Sequence, residues 1–189
     1  RGRARRWRSR TRVDAMSLVE FDPPERFVLG TVGPPGQRTF FLQANDGSRR
    51  VQVSLEKLHA QILAERIGEL LDQVGGAAAT VAAAVEAADN APLDTPIYED
   101  FRVSALALSW DDERQVVVIE AHDHDPDEVE EDIMVQLNSL RVSLPPAQAR
   151  AFAQRCETVV RAGRPACPFC GGPVDEDGHI CPRANGYKR

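Results

Sequence analysis

No stretch of this chain approaches the roughly 18 consecutive apolar residues that a membrane-crossing helix requires, so none is expected. The N-terminal arginines are not followed by an apolar segment, so the start does not read as a secretory signal. There is no Gly-x-Ser-x-Gly elbow, no glycine loop leading into Lys-Ser or Lys-Thr to cradle a phosphate, and no dinucleotide fingerprint. Histidine is scarce at four residues, and cysteine is equally scarce at four. These shortages leave no recognisable nucleotide site and little material for a histidine-built catalytic centre.

The 189 residues suit one domain, or one domain with a small appendage. A hydrophobic content of 42% is enough to fill a core without staples. The formal charge of −6 is unevenly spread: residues 1–15 carry seven Arg against one Asp, which leaves residues 16–189 at about −12. An acidic body repels nucleic acid and anionic membrane, because binding either one means placing cations against phosphates. Residues 1–15 have no apolar periodicity and read as a disordered Arg-rich leader ahead of a start at Met16, although Arg1-Gly-Arg-Ala-Arg-Arg-Trp-Arg also has the makeup of a nucleic-acid arm.

Downstream, the pattern predicts an α+β chain made of two β-meander and helix halves. Strands are expected from Arg26 to Val32, from Thr39 to Gln43 and from Arg50 to Ser54, with turns at Gly33-Pro-Pro-Gly36 and Asn45-Asp-Gly47. Ser54 is expected to cap a helix whose buried face is Leu55, Leu58, Ile62, Leu63, Ile67, Leu70, Leu71 and Val74, ending at Gly75-Gly76. Residues 75–98 read as an Ala-rich linker, with a weakly amphipathic helix over Ala77 to Ala88 and prolines at 92 and 96. The second half, 99–163, is expected to hold strands from Arg102 to Trp110, from Gln115 to Ala121, at Ile133 to Leu137 and into Leu140-Arg-Val-Ser, then a helix from Leu144 to Arg161.

The two strand-to-helix junctions match at an offset of 89 residues. Val51-Gln-Val-Ser-Leu aligns with Leu140-Arg-Val-Ser-Leu, and Ala60, Ala64 and Arg66 align with Ala149, Ala153 and Arg155. The shared order of hairpin, strand, serine and amphipathic helix points to an internal duplication.

Three cysteines crowd into the tail, 164–189, which in a reducing compartment such as the cytoplasm indicates metal ligation, not a disulfide framework. Cys167-Pro-Phe-Cys170-Gly171 has the spacing at which a tight turn lets two thiolates grip one ion, with Gly relieving the crowded backbone. Cys181-Pro-Arg-Ala184 repeats the unit with Ala where a fourth Cys would stand. His179 is the one imidazole nearby, so Cys167, Cys170, His179 and Cys181 are expected to hold a structural Zn2+ in a small ribbon. Three cysteines with water, or with a carboxylate from Asp175 or Asp177, would instead leave a position open for catalysis. Phe169, Val174 and Ile180 are the tail's apolar anchors, so folding there is expected to lean on the metal, worth on the order of 10 kcal/mol or more. Cys156, in the second helix beside Val159 and Val160, reads as a small core residue.

His122-Asp-His124-Asp-Pro-Asp127 follows a buried strand and partly matches the His-x-His-x-Asp-His pattern of metallo-hydrolases, without its last His. His59 reads as a boundary residue of the first helix.

The ending Cys-Pro-x-Cys-Gly…Gly-His-x-Cys-Pro-Arg-x-Asn-Gly, the Phe27-Val-Leu-Gly start and the two Val-Ser-Leu helix entries resemble an uncharacterised actinobacterial repeat-protein family over Met16 to Arg189. That resemblance implies a cytoplasmic protein and supplies no activity. The expected function is a non-enzymatic binding or scaffold protein with a protein partner. The alternatives are a metal-dependent hydrolase using His122 and His124, or a nucleic-acid binder acting through the ribbon and Arg183, Lys188 and Arg189.

Overall fold

The computed structural model describes residues 17–74, 76, 81–125, 137–163, 167–172, 174 and 178–183. The leader, the acidic stretch from 126, residues 133–136 of the strand expected at 133–137, and Asp175, Asp177, Ala184, Lys188 and Arg189 lie outside the described residues.

Among the described residues eight strands and three helices follow in the order β1 (Ser17–Phe21), β2 (Arg26–Val32), β3 (Thr39–Asn45), β4 (Arg50–Leu55), α1 (Lys57–Val74), α2 (Val81–Glu86), β5 (Phe101–Arg102), β6 (Ala105–Asp111), β7 (Val116–His122), β8 (Asn138–Leu144) and α3 (Pro146–Arg161). They form an α+β structure with two mixed four-stranded sheets, ordered β2-β3-β4-β5 and β1-β8-β7-β6. Each sheet is an antiparallel meander extended by one parallel strand. β5 joins β4, placing Phe101 beside Val53, and β1 joins β8, placing Phe21 beside Val142. These parallel pairings correct the expectation of purely antiparallel meanders. Periodicity did not find β1 or β5, because five and two residues are too short to alternate convincingly.

Alternation along the strands divides each sheet into a buried and an outer face. Leu29, Leu42 and Val53 of one sheet join Val117, Ile119, Leu140 and Val142 of the other in one core, with Leu63, Ile67 and Leu71 of α1 and Phe152 of α3. The two long helices each pack on both sheets, α1 against β6 and β3, and α3 against β2 and β7, while α2 packs against α3. The helices also pack on each other, and Ala60, Ala64, Ala149 and Ala153 are all buried. Small side chains let two helix backbones approach closely, and this selects which side of α1 is covered. Leu58, Ile62 and Val74, expected inside, are 61%, 44% and 40% exposed.

Ser54 does not cap α1. It lies in β4, buried, with its hydroxyl unpaired, and the carbonyl of Glu56 accepts the Ala60 N–H at 3.2 Å. Its counterpart Ser143 is likewise a buried, unpaired strand residue, and α3 enters through Pro145 with no side-chain cap. Cys156 is fully buried in the core, which pushes its thiol far above the usual cysteine range.

Of the segment 75–98 read as a linker, residues 81–86 form α2 and residues 89–97 form a strap over the outer face of β2, β3 and β4. Leu93 packs with Val28 and Phe41, and Asp94 trades main-chain bonds with the buried Gln43 side chain, Asp94 N to Oε1 at 2.9 Å and Nε2 to Asp94 O at 2.9 Å. Gln43 Nε2 also donates to Gln52 Oε1 at 3.0 Å, which links the two buried amides. Arg155, mostly buried on α3, donates to the carbonyls of Leu29 at 2.7 Å and Ala91 at 2.8 Å, and to that of Asp89. The Asp89 carboxylate lies between Arg26 Nε at 2.6 Å and Arg155 Nη1 at 3.5 Å. The bond from Arg26 holds the Asp89 carboxyl below its ordinary range, and burial pulls Arg155 down from the usual guanidinium value.

A Cβ on Gly30 would lie 2.5–2.9 Å from three carbons of Leu93. Gly30→Ala is therefore expected to cost about 1–3 kcal/mol through overpacking, measured by chemical denaturation. Leu93→Ala in the same chain should recover part of that loss, because the clash is with the strap alone. Asp89→Asn is expected to cost about 1–2 kcal/mol at neutral pH. Because the folded Asp89 has a lowered pKa, its contribution is complete above the ordinary carboxylate value of about 4 and fades as the pH falls below it. Stability–pH curves of the two proteins should converge in that acidic range, and parallel curves would sink the assignment.

Candidate metal centre

The tail's metal-ligand pattern forms a compact knuckle. Residues 168–170 turn, Gly171 N donates to Cys167 O at 2.8 Å, and Cys167 N donates to Gly172 O at 2.7 Å. Gly171 takes φ +74°, a left-handed conformation that a side chain would strain. The tight loop aims main-chain N–H groups at sulfur, Phe169 N lying 3.4 Å from Cys167 Sγ. Gly178, also left-handed at φ +86°, precedes the strand of chain that returns His179 and Cys181. Arg183 Nη1 donates to Phe169 O at 3.3 Å, closing the return segment onto the knuckle.

The result is that Cys167, Cys170, His179 and Cys181 place one ligand atom each within 4.8 Å of all the others. Cys167 Sγ and Cys181 Sγ are 3.8 Å apart, and Cys170 Sγ is 3.2 Å from His179 Nε2. A tetrahedral ion with Zn–S bonds of about 2.3 Å separates two thiolates by about 3.8 Å, so the sulfur pair fits such an ion. Cys167 and Cys181 are buried, and Cys170 and His179 are half-buried. The four residues could therefore bind a metal ion.

Electrostatics favour a cation here. The Cys170 N–H, as the leading cause, lowers the Cys167 thiol below its usual value. Cys170 is raised: the Gly172 N–H pulls it down, but burial and the thiols of Cys181 and Cys167 outweigh it. Three thiols crowded together cannot all ionise unless a positive charge joins them.

The other histidines are placed differently. His122, at the end of β7, has Nδ1 2.8 Å from Ser139 Oγ, and its Nε2 lies 4.0 Å from Glu120 Oε2. His124 Nδ1 lies 2.8 Å from Asp123 Oδ1, and Asp123 also accepts bonds from Asn138 N at 3.0 Å and Nδ2 at 2.7 Å. Burial raises the Asp123 carboxyl, but the bonds from His124 and Asn138 prevail and lower it. The two imidazoles stand edge to face, 5.5 Å apart. Among the described residues, the Cys/His knuckle is the one place where three or more such donors converge. His59 is half-buried, with Nδ1 buried and unpaired.

Two site features were not readable in the tail's spacing. Phe169 and Ile180, expected as anchors, are 64% and 84% exposed. The Arg183 clasp was missed because an arginine bond to a main-chain carbonyl has no sequence signature.

The profile of a family described as "Protein of unknown function (DUF3090)" matches residues 19–181. The chain belongs to this family. The match to DUF3090 runs from β1 through Cys181, so it takes in both sheets and all four candidate ligands. No curated protein and no solved structure matches the chain. No helix among the described residues is long and apolar enough to cross a membrane.

The purified chain is expected to carry one metal ion per molecule, measured by elemental analysis. Cys170→Ser should remove it or weaken it at least tenfold, whereas His122→Ala with His124→Ala should retain it. Cobalt exchanged into the natural chain should show the intense visible absorption of a tetrahedral thiolate complex. A pale octahedral spectrum would exclude this ligand set.

Proposed function

We propose that this is a non-enzymatic binding or scaffold protein of a reducing, cytoplasmic setting, whose C-terminal ribbon is stabilised by one structural Zn2+. The convergence of three thiolates and one imidazole carries the reading. Four protein donors complete a tetrahedron and leave no position for substrate, and thiolates donate enough charge to quench the ion's Lewis acidity. With Phe169 and Ile180 exposed, the ribbon has almost no core of its own, so metal binding supplies its folding energy. Those exposed side chains beside Arg183 also form the surface offered to a protein partner.

The body is read as duplicated. The 89-residue offset between Ser54 and Ser143, Ala60 and Ala149, and Arg66 and Arg155 supports this, as does the matching order of strands in the two sheets.

A divalent-metal hydrolase built on His122 and His124 is the competing reading. It is favoured by one observation: each ring has its Nδ1 engaged, by Ser139 and by Asp123, which is how metal-bound imidazoles are oriented.

Chelation with limited proteolysis separates these. Under the structural reading, removing zinc exposes the chain after Gly163 to cleavage, while the main unfolding transition stays in place. Loss of a metal-dependent hydrolytic activity in His122→Ala, with the ribbon still protected, would overturn it in favour of the hydrolase.

A further inference from the structure

A β-sheet ends in two edges, and an unguarded edge is a template for another strand. Three of the four edges here are guarded. β5 is only two residues long. On β1 the Glu20 carbonyl accepts a bond from Arg49 Nη2 at 3.1 Å. On β2 the Leu29 carbonyl accepts the 2.7 Å bond from Arg155 Nε.

Among the described residues the fourth edge, β6, is bare. The bond from Asp123 N to Asn138 O fixes the alternation of β7, so that its odd-numbered residues bond to β8 and Val118, Glu120 and His122 bond to β6. Their partners on β6 are Ser109, Ala107 and Ala105, which leaves the N–H and C=O groups of Leu106, Leu108 and Trp110 pointing outward. Among the described residues none of these groups has a hydrogen-bond partner.

The contrast with β2 is specific. Leu29 pairs with Leu42 in the middle of its sheet as Leu108 pairs with Ile119 in the other. The guard of Leu29 is Arg155, and the residue at the equivalent place on α1 is Arg66. Arg155 is 11% exposed and bonded to the edge, whereas Arg66 is 66% exposed and paired with Glu69 at 2.8 Å. The β6 edge also has few of the usual deterrents: it contains no proline, and its one charged residue is Asp111 at the C-terminal end.

We propose that β6 pairs antiparallel with β6 of a second copy of this chain, joining two four-stranded sheets into one continuous sheet. The segment is self-complementary about Leu108. With Leu108 opposite its own copy, Leu106 faces Trp110 of the second chain, and every outward group of these three residues meets a partner. On the other face Ala107, exposed, lies opposite the exposed Ser109, and Asp111 lies opposite Ala105, so no like charges oppose each other along the strand. A two-fold contact of this kind closes at two chains and does not propagate.

Sedimentation velocity on the zinc-loaded chain tests this. The expected particle is twice the 20.8 kDa chain mass, dissociating on dilution. Ala107→Lys with Ser109→Lys should raise the dissociation constant at least tenfold without moving the unfolding transition, because both side chains are solvent-facing. Ala107→Val with Ser109→Thr adds no charge to the strand and should leave the dimer intact. A natural chain that is monomeric at every concentration overturns the proposal. So does a dimer that the lysine pair leaves unchanged, or one that chelation abolishes, since association would then lie elsewhere or in the ribbon.

Discussion

The structure depends on an exchange of strands between the two halves of the chain. β1 precedes the first meander yet pairs with β8 of the second, and β5 precedes the second meander yet pairs with β4 of the first. Neither sheet is complete without a strand from the other half. The two long helices repeat the arrangement, α1 packing on β6 of the second meander and α3 on β2 of the first. One consequence is cooperative. Loss of either parallel pairing exposes Phe21 or Phe101 together with the core they cover, so the halves have no route to separate unfolding.

The same exchange explains the strap. Chain leaving α2 must cross the outer face of β2, β3 and β4 to reach β5, and the buried pair Gln43 and Gln52 meets it there. Those amides are satisfied only while the strap is in place, since Gln43 accepts from Asp94 N and Gln52 Nε2 reaches Pro96 O at 3.4 Å. Buried amides would be costly alone, and here they fix the path of the crossing. Gly30 completes the fit by leaving room for Leu93.

Local signals were readable in the sequence and long-range ones were not. β2, β3, β4 and β7 announced themselves through apolar runs between turn residues, and the Cys/His residues that cluster in the tail through their spacing. The buried side of α1 was misjudged because a hydropathy pattern favours Leu58 and Ile62, whereas the close approach of α3 buries Ala60 and Ala64. Ser54 resembled a cap because serine before an apolar run commonly is one, but β4 runs one residue beyond it. Parallel pairing between residues 48 positions apart, as in β4 and β5, or 121 apart, as in β1 and β8, leaves no periodic trace, and neither does Arg155 reaching three carbonyls. In the tail, spacing could propose Cys167, Cys170, His179 and Cys181, but not that Phe169 and Ile180 between them face outward.

The burial of Cys156 divides the chain's four cysteine sulfurs into two chemical populations. Three sit at the knuckle, where a bound cation would govern their reactivity, and one sits in the core with its thiol held protonated by burial. A thiol reagent therefore meets two separate barriers: release of metal for the first three, and opening of the core for the fourth. The molecule thus carries two clocks in one element, and the order in which its sulfurs react records whether the ribbon or the body gave way first.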